Sequence, residues 1–345
     1  MKRVALLAIA CCSRSPTTAT ASAAASLSAP AAPSASDAPS AEQQDAAPVV
    51  DHPERAFALP RDASCHDDLR CLVERAYSSD EKARALALAL FDETGDVAGT
   101  DRESTMDGGF RGDLHITPAL PTGDDRAQLE RVLAAVRDFD AFFRRVAPAT
   151  QYRWRDLSFR FFKSWSGPRA HETQRTTPSA YAIGPVPMPQ SANDAISFSL
   201  AYNVKGSLLT TDQGVRETLF HEIFHMNDAA HGDWSVRALG RDYDAIVKKC
   251  GAMNVACLAP YAPNDTMVRG GTFYAFEPNN GLPVREYAAE LALRWYKEHR
   301  AIARHEPFPQ APNGKPFKCG PPENRRAWDA IVKEFFAIDL VPPCP

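Results

Sequence analysis

The residues best placed to do chemistry lie between Thr218 and Asn227, which read TLFHEIFHMN. His221, Glu222 and His225 form an H-E-x-x-H motif. On a helix, residues four apart share a face, so His221 and His225 can aim two imidazoles at one cation. Glu222 sits beside them and can reach a water held by that cation. With nine histidines in 345 residues, a chance occurrence of the motif is roughly one in a hundred. The bland alternative is an ordinary helix with two buried histidines. Two imidazoles and a carboxylate on an otherwise apolar helix, however, need polar partners before they can be buried.

A catalytic zinc takes three protein ligands as a rule, and two residues compete for the third place. The first is Glu286. The stretch Pro283 to Arg300 reads PVREYAAELALRWYKEHR, and Pro283 suits a helix start. Glu286 and Glu290 are four apart, on one face with Ala289 and Leu293. From Tyr287 to Tyr296 only Glu290 and Arg294 are polar, and carboxylates on so apolar a helix should be paired or bind metal. Glu290 has a plainer option in an i,i+4 ion pair with Arg294. The second candidate is His231. HEIFHMNDAAH has the histidine spacing of metzincins, with Asp228 where those enzymes carry glycine, and with Met253 or Met267 available for a Met-turn.

HEIFH followed by EYAAE resembles the gluzincin branch of the zincin metallopeptidases. Within that branch it resembles the catalytic domain of anthrax lethal factor, which pairs H-E-x-x-H with a later Glu-aromatic-x-Ala-Glu helix. The resemblance covers about Asp194 to Trp295. It implies Zn2+ as cofactor, Glu286 as third ligand, Glu290 in support, and Glu222 as general base. It also implies that Tyr274, in GGTFYAF, donates to the developing oxyanion, and that the substrate is a protein or peptide. The fold it implies is α+β, a zincin core with a small mixed sheet over the H-E-x-x-H helix and a helical C-terminal part.

The elements that must position these residues follow from patterning. In the motif helix, Val215, Leu219, Ile223 and Met226 recur at helical spacing, Phe220 and Phe224 form a second stripe, and Thr210, Thr211 and Asp212 can cap the first turn. Upstream, Asp67 to Tyr77 and Asp80 to Phe91 read as helices. Gly95 to Gly123 reads as a loop with a short extended piece at Leu114 to Thr117. Asp124 to Val146 is a long helix, ended by Pro148, with Leu129, Val132, Leu133, Val136, Phe139 and Phe143 on its apolar side. Leu157 to Trp165, Ala180 to Ile183 and Ile196 to Tyr202 read as strands, and Pro185, Pro187 and Pro189 confine their segment to an edge or loop. Strands directly before the motif helix suit a sheet whose edge can pair with an extended substrate. These readings divide the chain into a helical N-terminal region at 58–149 and a catalytic region at 150–345.

Before residue 58 the chain reads as export and tether. Lys2 and Arg3 precede an apolar run from Val4 to Ala10, then Cys11 and Cys12. This is a short secretory signal over residues 1–12, and a small residue followed by Cys resembles the lipobox of bacterial lipoproteins, with Cys11 lipidated. Residues 13–57, rich in Ala, Ser and Pro, lack the apolar bulk to fold and form a spacer. The expected location is the outer membrane or cell surface, otherwise the periplasm or medium. Six further cysteines, an even number in an exported chain, argue for disulfides. Of 15 possible connectivities, the neighbour pairs Cys65–Cys71, Cys250–Cys257 and Cys319–Cys344 are the simplest. A net charge of -4 gives no electrostatic case for nucleic acid. The expectation is an exported, monomeric, membrane-tethered zinc metalloendopeptidase. The alternative is a non-catalytic surface lipoprotein that uses such a fold to bind partners, which would have no use for the base Glu222.

Overall fold

The computed structural model describes residue 59 and residues 62–66, 68–100, 105–107, 113–164, 179–183, 198–268, 271–278, 281–309, 312 and 314–344. The signal, Cys11, Cys12, the spacer, Asp67, Trp165, Pro185, Pro187, Pro189, Ile196 and Gly270 lie outside the described residues. The architecture is α+β. Helix α1 (Leu69–Ala76) begins where the Asp68 carboxylate accepts the Arg70 and Cys71 amides, and α2 (Glu81–Thr94) where Asp80 accepts that of Ala83. Gly95 ends α2 in the left-handed conformation that favours glycine. Helix α3 (Arg126–Val146) buries Leu129, Val132, Leu133, Val136, Phe139 and Phe143, the apolar set its periodicity marks.

The stretch that reads as a loop with one extended piece holds three strands, β1 (Val97–Thr100), β2 (Thr105–Asp107) and β3 (Asp113–Pro118), the last covering that piece at Leu114 to Thr117. They join β4 (Ser158–Ser164), β5 (Ala180–Ile183) and β6 (Ser199–Asn203) in one mixed sheet, with β2-β3-β4-β6-β5 in order. β1 runs parallel to β4 from Ser158 to Phe161, and β3 runs antiparallel from Phe162 to Ser164, so the two share one edge of β4 end to end. The division at 149/150 therefore has no counterpart in the sheet, and the N-terminal region is not helical throughout. The reason is tertiary. A strand as short as Val-Ala-Gly-Thr has no legible alternation, and its pairing is supplied by β4. Asp96, fully buried, pins this junction by accepting the Leu157 amide and the Thr94 hydroxyl.

The helices behind the sheet are α4 (Asp212–Ala230), α5 (Trp234–Cys250), α6 (Val255–Leu258), α7 (Pro283–Arg304) and α8 (Pro322–Ile331), the last continued by a π-helical turn at Val332–Phe336. Their core is aromatic. Trp295 of α7 lies over Phe336 with ring centroids 3.7 Å apart, and Phe220 of α4 stacks on Tyr152 and Tyr296. Removing such a ring costs about 3–5 kcal/mol, so this cluster holds α4 and α7 side by side. Asp138 on α3 adds a polar tie, accepting from the Tyr296 hydroxyl and from Arg300. The three neighbour cysteine pairs are bridged, with Cα separations of 5.4, 5.3 and 5.3 Å. Among the described residues, no helix is long and apolar enough to cross a membrane.

His299, fully buried on α7, gives the fold a pH dependence. Its Nδ1 donates to the Trp295 carbonyl at 2.8 Å and its Nε2 accepts the Leu340 amide at 2.9 Å, which fixes a neutral imidazole. Burial lowers its pKa from 6.5 to about 4, against the opposing Trp295 hydrogen bond. Above pH 6.5 both folded and unfolded chains hold it neutral. As pH falls below that, the unfolded chain takes up a proton that the native chain refuses, so stability drops down to about pH 4 and then levels off. The loss from this group is on the order of 3 kcal/mol. Urea denaturation at pH 7 and 4.5 should show it, and His299→Gln should shrink the difference; an unchanged difference in the variant would refute the assignment.

Candidate metal centre

Helix α4 starts at Thr211, whose hydroxyl accepts the Gly214 amide at 3.0 Å. Glycine is required at 214, because a Cβ there would lie 2.1 Å from the Leu208 carbonyl oxygen. From Thr218 to Asp228 every residue is buried, so α4 is packed on all sides. Its two histidines reach their polar partners on α7, which has Pro283 in its first turn and buries every residue from Glu286 to Tyr296.

Three atoms converge. His221 Nε2 lies 3.1 Å from His225 Nε2 and 3.1 Å from Glu286 Oε2, and His225 Nε2 lies 3.4 Å from the same carboxylate oxygen. All three side chains are buried. A tetrahedral zinc with arms of 2.0–2.1 Å separates its ligand atoms by about 3.3 Å, which is the spacing found. Three electron-pair donors this close, away from water, repel one another unless a cation sits between them. Burial opposes a positive charge on His221, but Glu286 and Glu290 outweigh it and raise its pKa to about 10. For Glu286, burial favours the neutral form and the two histidines overcome it, holding the carboxyl well below the usual range. The pocket thus prefers an anionic ligand facing a cation. Glu286 Oε1 is buried with no hydrogen-bond partner among the described residues.

Around the triad, His221 Nδ1 faces Glu290 Oε1 at 3.2 Å, an ion-pair contact without hydrogen-bond alignment. Glu290 is not paired with Arg294, which turns instead to Glu298 at 2.6 Å. Glu222 points its Oε2 at the Ala182 amide, 2.9 Å away, while its Oε1 is buried and unpartnered among the described residues. Burial raises Glu222 to about 7, against the pull of His221 and His225. Ala182 is on β5, at the end of the sheet order. The Asn203 amide donates to the Ser179 carbonyl, so by strand alternation the Ala182 amide faces away from β6, over the site. Tyr274 is brought here too. A bridge between Met267 and Phe273 precedes it, and its buried ring lies 5.7 Å from that of His221, centroid to centroid.

His231 is not part of this cluster. Its Nδ1 is 2.7 Å from Glu334 Oε1 and its ring rests 4.7 Å from Phe335. The cause lies at Asp228, which stays helical and uses its carboxylate to accept the Ser235 amide and hydroxyl at 2.6 and 2.7 Å. The helix therefore runs on to Ala230, and six residues beyond His225 is about 120° around the axis from it. Met253 is exposed, not beneath the site.

No protein-family model, curated protein or solved structure matches this chain. What the site can do is read from its own side chains: two imidazoles and a carboxylate close enough together to hold a divalent cation, with a second carboxylate and a phenol beside them. Two contributors escape sequence reading. The Ala182 amide is a backbone group with no sequence signature. Asn264, whose amide reaches Glu290, stands in a Pro-Asn-Asp turn where asparagine is unremarkable.

Proposed function

We propose that this chain is a zinc-dependent endopeptidase, exported and tethered through Cys11. The observation that carries the reading is the convergence of His221 Nε2, His225 Nε2 and Glu286 Oε2 at 3.1–3.4 Å, with Glu222 alongside. Those three residues would hold the ion. When bound, zinc supplies Lewis acidity, polarising a carbonyl and making water more acidic. Glu222 receives a proton from the attacking water at Oε1, which has no partner among the described residues, and passes it to the leaving amine. The Ala182 amide holds the other oxygen and so fixes the carboxylate's direction. Tyr274 stands on the His221 side, where a phenol can donate to the oxygen of the scissile carbonyl as charge builds on it. Among the described residues no strand pairs with the outer edge of β5, where the Ala182 amide is held by Glu222 and the outward carbonyls can accept from an extended peptide, which fits a protein or peptide substrate.

The test is metal content together with peptidase assay. The purified protein should carry one zinc per chain, His221→Ala should lose it, and a chelator should abolish hydrolysis of a casein or peptide-library substrate. Hydrolysis that continues after zinc has been stripped would refute the reading.

A further inference from the structure

We infer that Asn264 is a positioning residue for the metal centre, acting on His221 through Glu290; the inference rests on the metal-site reading above. Asn264 lies in the turn before Tyr274, 26 residues from Glu290, and is buried. Its Nδ2 donates twice to that one residue, to the Glu290 main-chain carbonyl at 2.8 Å and to Oε2 at 2.9 Å. One amide thereby grips both the backbone and the carboxylate of Glu290. Its own Oδ1 is buried with no partner among the described residues. A flipped amide would satisfy neither contact, since it would set Oδ1 against two acceptor oxygens. The orientation is therefore set by Glu290 alone, and the unpartnered Oδ1 is what that orientation leaves behind.

The consequence falls on His221. With Oε2 engaged by Asn264, Glu290 presents Oε1 to His221 Nδ1 at 3.2 Å. In the neutral imidazole a carboxylate at Nδ1 favours the proton there, which leaves the Nε2 lone pair on the side of His225 and Glu286. Asn264 supplies the constraint that keeps Glu290 from rotating away, and its two hydrogen bonds make a chain from turn to helix to ligand.

Zinc affinity of the full chain, measured by competition with a chromogenic chelator, tests this. Asn264→Ala should weaken zinc by about 10–100-fold, the usual loss when such a supporting contact is removed. Asn264→Asp, which keeps the side-chain volume but lacks the N–H donors, should weaken it as well and covers the case in which the alanine variant does not fold. Adding Asn264→Ala to Glu290→Ala should cost nothing further, because the first acts through the second. With cobalt(II) in place of zinc, the visible absorption bands of Asn264→Ala should change as the His221 imidazole reorients, whereas a packing role alone would leave them as in the parent. Parent-like zinc affinity in the folded Asn264 variants, or effects of Asn264→Ala and Glu290→Ala that simply multiply, would overturn this inference alone. A parent chain that takes up no zinc would overturn it together with the metal-site reading.

Discussion

Glu222→Gln should bind zinc about as well as the parent and lose peptidase turnover by about 10²–10⁴-fold, the usual contribution of a general base. The two halves of this result have separate causes. Glu222 is outside the three-atom cluster, so its charge is not needed to hold the ion. Its Oε2 is occupied by the Ala182 amide and its Oε1 has no partner among the described residues, so the proton-accepting oxygen is singled out by geometry. Glutamine is the same size, and its side-chain oxygen can still accept from Ala182, so the edge of β5 stays in place. Only the capacity to take a proton disappears. Zinc content by mass spectrometry and turnover on a quenched peptide check both halves. A variant that hydrolyses peptide at the parent's rate would reduce Glu222 to a structural role, while one that loses its zinc would make it a ligand.

Glu286→Ala should reduce zinc affinity far more than Glu290→Ala, and His231→Ala should leave it unchanged. Glu286 contributes an oxygen directly to the cluster, 3.1 and 3.4 Å from the two imidazoles, and its removal would leave two ligands. Glu290 stands behind His221 and should cost about 10–100-fold, as supporting contacts do. His231 is engaged with Glu334 at 2.7 Å and tilted against the Phe335 ring, beyond the end of the motif helix. A metzincin-like centre demands the reverse order, with His231→Ala stripping the metal and Glu286→Ala harmless. Zinc titration of the three variants decides between them. Circular dichroism of the metal-free forms separates a lost ligand from a lost fold, because a buried carboxylate replaced by alanine can also disturb α7.

The sequence by itself determined the local parts of this protein. H-E-x-x-H at helical spacing set His221 and His225 on one face, and Pro283 and the apolar run behind it set Glu286 and Glu290 one turn apart on a second helix. Both are short-range consequences of 3.6-residue periodicity. The cysteine pairs were legible for a similar reason: separations of 6, 7 and 25 residues close small loops at modest entropic cost. What tertiary structure decided is how far-apart segments meet. Glu286, 65 residues beyond His221, joined the site over the sequence-near His231 because Asp228 kept the helix going and an aromatic core set α7 against α4. Of the strands at 97–118, β3 was legible as the extended piece at Leu114 to Thr117, whereas β1 and β2 were hidden because each is short and gains its hydrogen bonds from a neighbour, β4 and β3 respectively. The Ala182 amide and Asn264 were hidden because a backbone N–H and a turn asparagine acquire their roles only from the carboxylates that the fold brings to them.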